Sequence, residues 1–261
     1  MLIDDVADLL KEVSSEVILP RFQRLGEGDV FEKTPGDVVT VADRESDALI
    51  TTALLKLRPG SRVVGEEACA ADCTILQGLD NGSVWLVDPL DGTANFAAGR
   101  GPFSVMVALL NDGEPILSWM LAPISGEMCV AERGSGAVVN GTRLVTTEPD
   151  PADLRGAFLT KFMPEEVSKR VGASSIGLAT LPGLLCAGAE YPAVAKGDRH
   201  FAVFWRTYPW DHAPGMLFLE EAGGAVRRPG GQRYSVASEE NGLVLARTPA
   251  TLDTVVGKIE F

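Results

Sequence analysis

Apolar residues return at helical spacing from the start of the chain. Val6, Leu9, Leu10, Val13 and Val17 recur within residues 2–25 and predict an amphipathic helix. Residues 28–37, punctuated by Pro35-Gly36, read as a loop. Val38-Val39-Thr40-Val41 is a short β-branched run. Asp43 to Leu57 reads as a second helix, with Ala48, Leu49, Ala53 and Leu55 among its apolar positions. Arg62-Val63-Val64-Gly65 is a brief strand that delivers Glu66 and Glu67 at its end. From 83 to 147 the pattern is mostly β, with strands at 83–87, 103–111, 115–121, 127–132 and 136–139. Asn111-Asp112-Gly113 and Asn140-Gly141 supply hairpin turns. The second half alternates: strand 156–160, helix 164–171, a helix from about 177 to 188, strand 191–195, helix 211–223, strand 243–246 and a closing helix over 249–258. An antiparallel-rich half, 1–150, and an alternating half, 151–261, predict one α/β domain of stacked sheets and helices.

The densest chemistry follows the apolar run Val84-Trp85-Leu86-Val87. Asp88 and Asp91 come next with Pro89 between them, and then Gly92-Thr93. Hard oxygen ligands followed by free backbone N–H groups suit a place where divalent cations meet a phosphate. An aspartate leaving a buried strand straight into a proline turn needs a partner. Gly92 permits close backbone approach, and the N–H groups of 92–94 open a short helix over 94–98. Three further acids sit at element ends: Glu66 after a strand, Asp211 at the start of a helix and Asp43 after a β-branched run. Asp211 and Asp43 would serve equally as helix N-caps, and Glu66-Glu67 as a solvated pair. As a set, these acids suit Mg²⁺, which keeps several waters and is held by carboxylates together with substrate phosphate.

Charge sharpens this picture. The chain has 261 residues, a net charge of −13 and only two histidines, His200 and His212. Such a balance disfavours nucleic acid as a partner and disfavours a histidine base. It also repels an anionic substrate unless metal ions invert the local field. There is no G-x-S-x-G elbow and no G-x-x-x-x-G-K-[ST] loop, and Gly99-Arg100-Gly101 does not continue into a dinucleotide fingerprint. Cys69, Cys73, Cys129 and Cys186 do not complete a zinc set and read as reduced, structural thiols. No apolar run approaches the ~18–20 residues of a membrane span. The acidic N-terminus lacks a leader pattern, so a cytoplasmic protein is expected. Lys33 reads as an exposed loop lysine, or as one that reaches the phosphate or a metal.

Several segments together resemble the inositol monophosphatase family, within the wider group of Mg²⁺-dependent, Li⁺-sensitive sugar phosphatases. They are Asp37-Val38-Val39-Thr40-Val41-Ala42-Asp43, Gly65-Glu66-Glu67, Trp85 through Phe96, Trp210-Asp211-His212-Ala213-Pro214-Gly215 and Glu221-Ala222-Gly223-Gly224. The resemblance implies a layered αβαβα fold, a homodimer and two to three Mg²⁺ ions. It implies one ion on Glu66, Asp88 and the Leu90 carbonyl, a second on Asp88, Asp91 and Asp211, and a weaker third near Glu66. Thr93, backed by Asp43, would orient a water activated at Glu66, and Gly92 and Thr93 would bind the phosphate. Water would then attack phosphorus in line with the leaving oxygen of a small phosphorylated substrate.

The chain departs from the pattern where substrate would be read. Inositol-hydrolysing members carry a glutamate seven residues before the tryptophan-linked aspartate, and Phe204 stands there in this chain. The family's Gly-Ser/Thr-Ala stretch is matched to Gly177-Leu178-Ala179. Trp205-Arg206-Thr207-Tyr208 is unusually aromatic, as core packing or as a remodelled pocket in which Arg206 faces a second anion. Fructose bisphosphate, histidinol phosphate and adenosine bisphosphate are alternative substrates. The adenosine bisphosphate branch carries a lysine-glutamate pair where this chain has Ala94-Asn95. A catalytically idle scaffold would lack a metal carboxylate or the threonine, and all are present.

Overall fold

The computed structural model describes residues 2–34 and 36–261. Its frame is two sheets. The larger runs in chain order through β3 (Arg62–Gly65), β4 (Ser83–Asp91), β5 (Ser104–Asn111), β6 (Glu114–Ala122), β7 (Glu127–Glu132), β8 (Gly136–Val139) and β9 (Thr142–Leu144). Only the β3–β4 pair in it is parallel. The smaller contains β10 (Arg155–Leu159), β11 (Ala179–Thr180), β12 (Phe201–Phe204), β13 (Ala225–Arg227) and β14 (Leu243–Ala246), ordered β11-β10-β12-β14-β13. A separate hairpin joins β1 (Val30–Thr34) to β2 (Asp37–Thr40).

Nine α-helices lie among the described residues, α1 (Leu2–Val13), α2 (Leu19–Arg21), α3 (Val41–Leu57), α4 (Glu66–Ala71), α5 (Thr93–Ala97), α6 (Glu165–Ser174), α7 (Ala187–Lys196), α8 (Pro209–Glu221) and α9 (Pro249–Val256), together with a π-helical segment (Ser14–Ile18) and two 3-10 turns (Cys73–Leu76 and Pro151–Asp153). The layering follows from strand alternation, since successive side chains point to opposite faces. On β4, Trp85 and Val87 join α1 and α3 in one core, whereas Val84 and Leu86 face α7 and α8. On β12, Ala202 and Phe204 face that same middle layer, whereas Phe201 and Val203 pack outward with α6 and α9 residues. The result is the expected α-β-α-β-α stack. Each sheet is covered on both faces, so its strands read as nearly continuous apolar runs.

Four local expectations change. The 28–37 loop contains β1, whose Val30 and Phe31 pair with Thr40 and Val39. That strand is largely exposed and charged, so it shows no alternation. Pro35 lies outside the described residues. Helix α3 buries Ala42, Asp43, Ser46, Ile50 and Leu54, while Leu49 and Leu55 are exposed. Polar Asp43 and Ser46 occupy the inward face and disguise it. The predicted helix at 177–188 is mostly the short strand β11 and a loop, and the predicted strand at 191–195 lies within α7, which carries Pro192 and is buried nearly all round. β12 is a strand where the pattern predicts none, because it is buried on both faces and shows no alternation.

Candidate active site

The parallel β3–β4 pair ends at the site, with Gly65 opposite Val87. Beyond Val87, Asp88 still pairs with Met106, but the register then shifts before Asp91 meets Ser104. Pro89 has no N–H to offer the ladder, and such irregularities re-aim side chains. Asp88 is buried, and its Oδ1 accepts the Leu90 N–H at 3.0 Å. Asp91 Oδ2 accepts the Gly188 N–H at 2.7 Å, Cys186 Sγ at 3.0 Å and Ser104 Oγ at 3.2 Å. One carboxylate oxygen is thus anchored in the first turn of α7, where the helix dipole favours negative charge.

Gly92 has φ +83, and a Cβ there would lie 3.0 Å from the Pro102 carbonyl and 3.1 Å from Cys186 Cβ. Only glycine fits both the conformation and the space. It caps α5, so the N–H groups of Thr93 and Ala94 fall in a first turn, where N–H groups lack intrahelical partners. Thr93 Oγ1 lies 2.9 Å from Asp43 Oδ1 and 2.8 Å from the Leu90 carbonyl. With one proton, it donates to one of them at a time.

Asp43 stands at the third position of α3, whose N-cap is Thr40 and not Asp43. Its Oδ2 accepts the Thr40 N–H at 2.8 Å and Thr40 Oγ1 at 2.6 Å, closing a capping box on α3. Its other oxygen holds Thr93. Burial pushes the Asp43 carboxyl up to about 6, against these hydrogen bonds.

Glu66 opens α4, and its Oε1 accepts Lys33 Nζ at 3.0 Å, while Glu67 Oε1 accepts the same ammonium at 2.5 Å. Lys33 is therefore largely buried and paired, not an exposed loop lysine. Burial works to lower Lys33, yet Glu66 and Glu67 pull it up overall. Burial raises Glu66 to about 7, with Lys33 opposing. Asp211 lies in the first turn of α8, and its charge acts on Asp88. Burial, and then the charges of Glu66 and Asp91, hold Asp211 well above the usual carboxylate range. Asp88 is raised for the same reasons, burial first and then Glu66, Asp91 and Asp211.

These groups share one cavity of about 440 Å³, lined by Glu66, Asp88, Asp91, Gly92, Thr93 and Asp211. Phe204 and Arg206 line it too. His212 accepts from or donates to Tyr191 Oη at 3.0 Å through Nδ1, and its Nε2 lies 3.0 Å from the Arg206 carbonyl. A carbonyl only accepts, so Nε2 donates and the Tyr191 hydroxyl donates to Nδ1. Burial pushes His212 down to about 3, which keeps the ring neutral.

Gly177 and Ala179 lie elsewhere. Gly177 occupies a turn with φ +83 near Lys258, and Ala179 sits on β11 opposite Arg155. The cavity wall at the mouth of α7 is instead Leu185-Cys186-Ala187. Leu185 holds φ +57, a conformation that favours glycine, so a match that looks for a glycine passes over it. Cys186, Lys161 and Phe162 also line the cavity, and no sequence motif marks them.

The loop before α7 is tied down by a buried pair. Glu190 Oε2 accepts Arg199 Nη1 at 2.7 Å, and its Oε1 accepts the Leu184 N–H at 2.6 Å. Glu190→Leu leaves Arg199 buried without its charge partner, so a loss of about 3–5 kcal/mol in urea-unfolding free energy is expected. An unchanged unfolding midpoint would contradict this.

Four carboxylates and a carbonyl form a hard-oxygen donor set suited to Mg²⁺. Their mutual repulsion in one cavity leaves negative charge for a cation to neutralise. Among the described residues, no group of three or more His, Cys, Asp or Glu side chains is already arranged to hold a metal ion. Two of the donors are engaged with neighbours: Glu66 with Lys33, and the Leu90 carbonyl with Thr93. The residues therefore fit the ion in chemistry.

Fold and site together define a hydrolase of phosphoric monoesters. The sequence model of the Inositol monophosphatase family matches residues 3–261, and the chain belongs to that family. It is 32% identical over 251 residues to a fructose-1,6-bisphosphatase/inositol-1-monophosphatase of Thermotoga maritima, covering 90% of each chain. A Nus factor SuhB of Pasteurella multocida is 29% identical over 268 residues, covering 95% of this chain and 91% of that one. A solved IMPase structure from Thermotoga maritima superposes with TM-score 0.80 at 26% identity, covering 99% of both chains. All four cysteines are free, and no helix among the described residues is long and apolar enough to cross a membrane.

Proposed function

We propose that the chain is a Mg²⁺-dependent phosphomonoesterase acting on a small polyol or sugar phosphate. The observation that carries this reading is the placement of Asp88. It is buried in β4 and shares a cavity with Glu66, Asp91, Asp211 and the Gly92-Thr93 step.

Asp88, Asp91, Asp211, Glu66 and the Leu90 carbonyl would hold the ions. Bound Mg²⁺ supplies charge neutralisation at the phosphate and a nucleophilic water near neutral pH. The N–H groups of Gly92 and Thr93 receive the phosphoryl oxygens. Asp43 Oδ1 holds the Thr93 hydroxyl, whose oxygen then accepts a hydrogen bond from the attacking water and fixes its direction. Anchoring of Asp91 Oδ2 by α7 leaves the other oxygen to face the cavity. Glu66, held beside Lys33, would help to activate the attacking water.

Phe204 supplies the substrate wall where a hydroxyl-binding glutamate would stand. That supports a substrate other than inositol phosphate itself. The test is phosphate release from a panel of phosphomonoesters with Mg²⁺, with and without Li⁺. Turnover of at least one sugar or polyol phosphate, depressed by Li⁺, supports the reading. Turnover of none would contradict it.

A further inference from the structure

The turn that follows β12, residues 205–208, walls the cavity through Trp205 and Arg206. The Arg206 guanidinium lies 4.1 Å over the Phe162 ring, and Lys161 Nζ lies 4.9 Å from the same ring. Two residues of the turn are tied to the segment before β14. The Trp205 carbonyl accepts the Gly242 N–H at 2.8 Å, and Thr207 Oγ1 donates to the Glu240 carbonyl at 2.7 Å. The Arg206 peptide between them is held from α8, where its carbonyl accepts His212 Nε2 at 3.0 Å.

The His212 ring is fixed in turn. It is buried, it meets the Phe204 ring edge-on at a centroid distance of 4.8 Å, and Tyr191 Oη donates to its Nδ1 at 3.0 Å. That donation keeps the ring proton on Nε2, the nitrogen that the carbonyl needs. Tyr191 reaches His212 because α8 has Gly215 at the contact, where a Cβ would lie 2.2 Å from Tyr191 Cδ2. Tyr191 also stands about one helical turn after Gly188, whose N–H anchors Asp91. Contacts therefore run from Asp91 through α7 to Tyr191, on to His212 and out to the cavity wall. Both ring nitrogens of His212 are spent on these partners, so what the ring supplies is position and not a proton.

We propose that Tyr191 and His212 are positioning residues: they fix the Arg206 peptide, and with it the wall that meets the organic part of the substrate, relative to the carboxylate cluster. This rests on the phosphomonoesterase reading. The test measures KM and kcat for an ester that the wild type hydrolyses, and the inhibition constant of inorganic phosphate, in His212→Asn, His212→Gln and Tyr191→Phe. The asparagine amide stands in for Nδ1 and cannot reach the carbonyl, whereas the glutamine N–H stands in for Nε2 and can. His212→Asn is expected to raise KM about tenfold, the worth of one buried hydrogen bond, while kcat and phosphate inhibition change less than about twofold. His212→Gln should recover most of that loss, and Tyr191→Phe, which frees the ring tautomer, should fall between the two. Equal KM values in the asparagine and glutamine variants overturn the proposal. So does a raised KM matched by an equal weakening of phosphate inhibition, which would make the pair a packing element of the whole site. Where His212→Asn does not fold, Tyr191→Phe decides: a raised KM with unchanged phosphate inhibition keeps the proposal, and an unchanged KM rejects it. If the wild type hydrolyses no phosphomonoester, the phosphatase reading is what fails. Amide hydrogen exchange over residues 205–208 then decides the positioning role. Faster exchange in the variant that lacks the donor than in His212→Gln keeps it, and equal exchange rejects it.

Discussion

Asp88→Asn is expected to lower kcat at least about a thousandfold while the protein stays folded, because neutralising a shared ligand removes most of what the ions supply to the barrier. Asp88 sits at the centre of the cluster. The charges of Glu66, Asp91 and Asp211 all act on it, and its Oδ1 accepts the Leu90 N–H that shapes the turn. Asparagine keeps that acceptor and the side-chain shape. It also removes one of several mutually repelling charges, so the melting temperature without metal should hold or rise. Phosphate release and a thermal melt on the same preparation check both halves. Lost activity with a lost fold would mean that Asp88 serves the structure instead.

Thr93→Ala is expected to lower kcat about a hundredfold, the lower end of what a positioned proton-transfer group contributes. The hydroxyl is the link between Asp43 Oδ1 and the cavity, and alanine leaves Asp43 without it. The backbone N–H groups of 92–94 are untouched, so substrate binding and KM should change little. Thr93→Ser should recover most of the rate, since it restores the oxygen. A rate lost equally in the serine variant would assign Thr93 a packing role.

Much of this site was legible because its chemistry is local in the chain. Asp88, Pro89, Asp91 and Gly92 are neighbours, and the bulge and left-handed glycine that aim them are set by those residues. Glu66 and Asp211 were legible for a related reason: each lies in the first turn of a helix at a fixed place in the stack. The αβαβα order likewise follows from strands that are apolar on both faces. The substrate wall was not legible, because long-range packing builds it. Leu185 holds a glycine-like conformation within a loop that Glu190 and Arg199 clamp from 5 and 14 residues away in sequence. That displaced the expected wall from Gly177 and Ala179. Lys33 looked like a loop lysine because its strand is exposed, and only the docked β1–β2 hairpin brings it to Glu66 and Glu67. Lys161 and Phe162 meet Arg206 only because β10 and β12 are adjacent in the smaller sheet.

The central claim is that the Glu66–Asp88–Asp91–Asp211 cluster works by holding Mg²⁺ against a phosphomonoester. The most direct measurement strips the protein with a chelator and follows phosphate release as Mg²⁺ is returned, in wild type and in Asp88→Asn. A hydrolysed sugar or polyol phosphate serves as substrate. Activity of the stripped wild type should fall below about 1% of the loaded rate and return with Mg²⁺, while Asp88→Asn stays inactive at every concentration. Full turnover by the stripped protein, or by Asp88→Asn, would contradict the account.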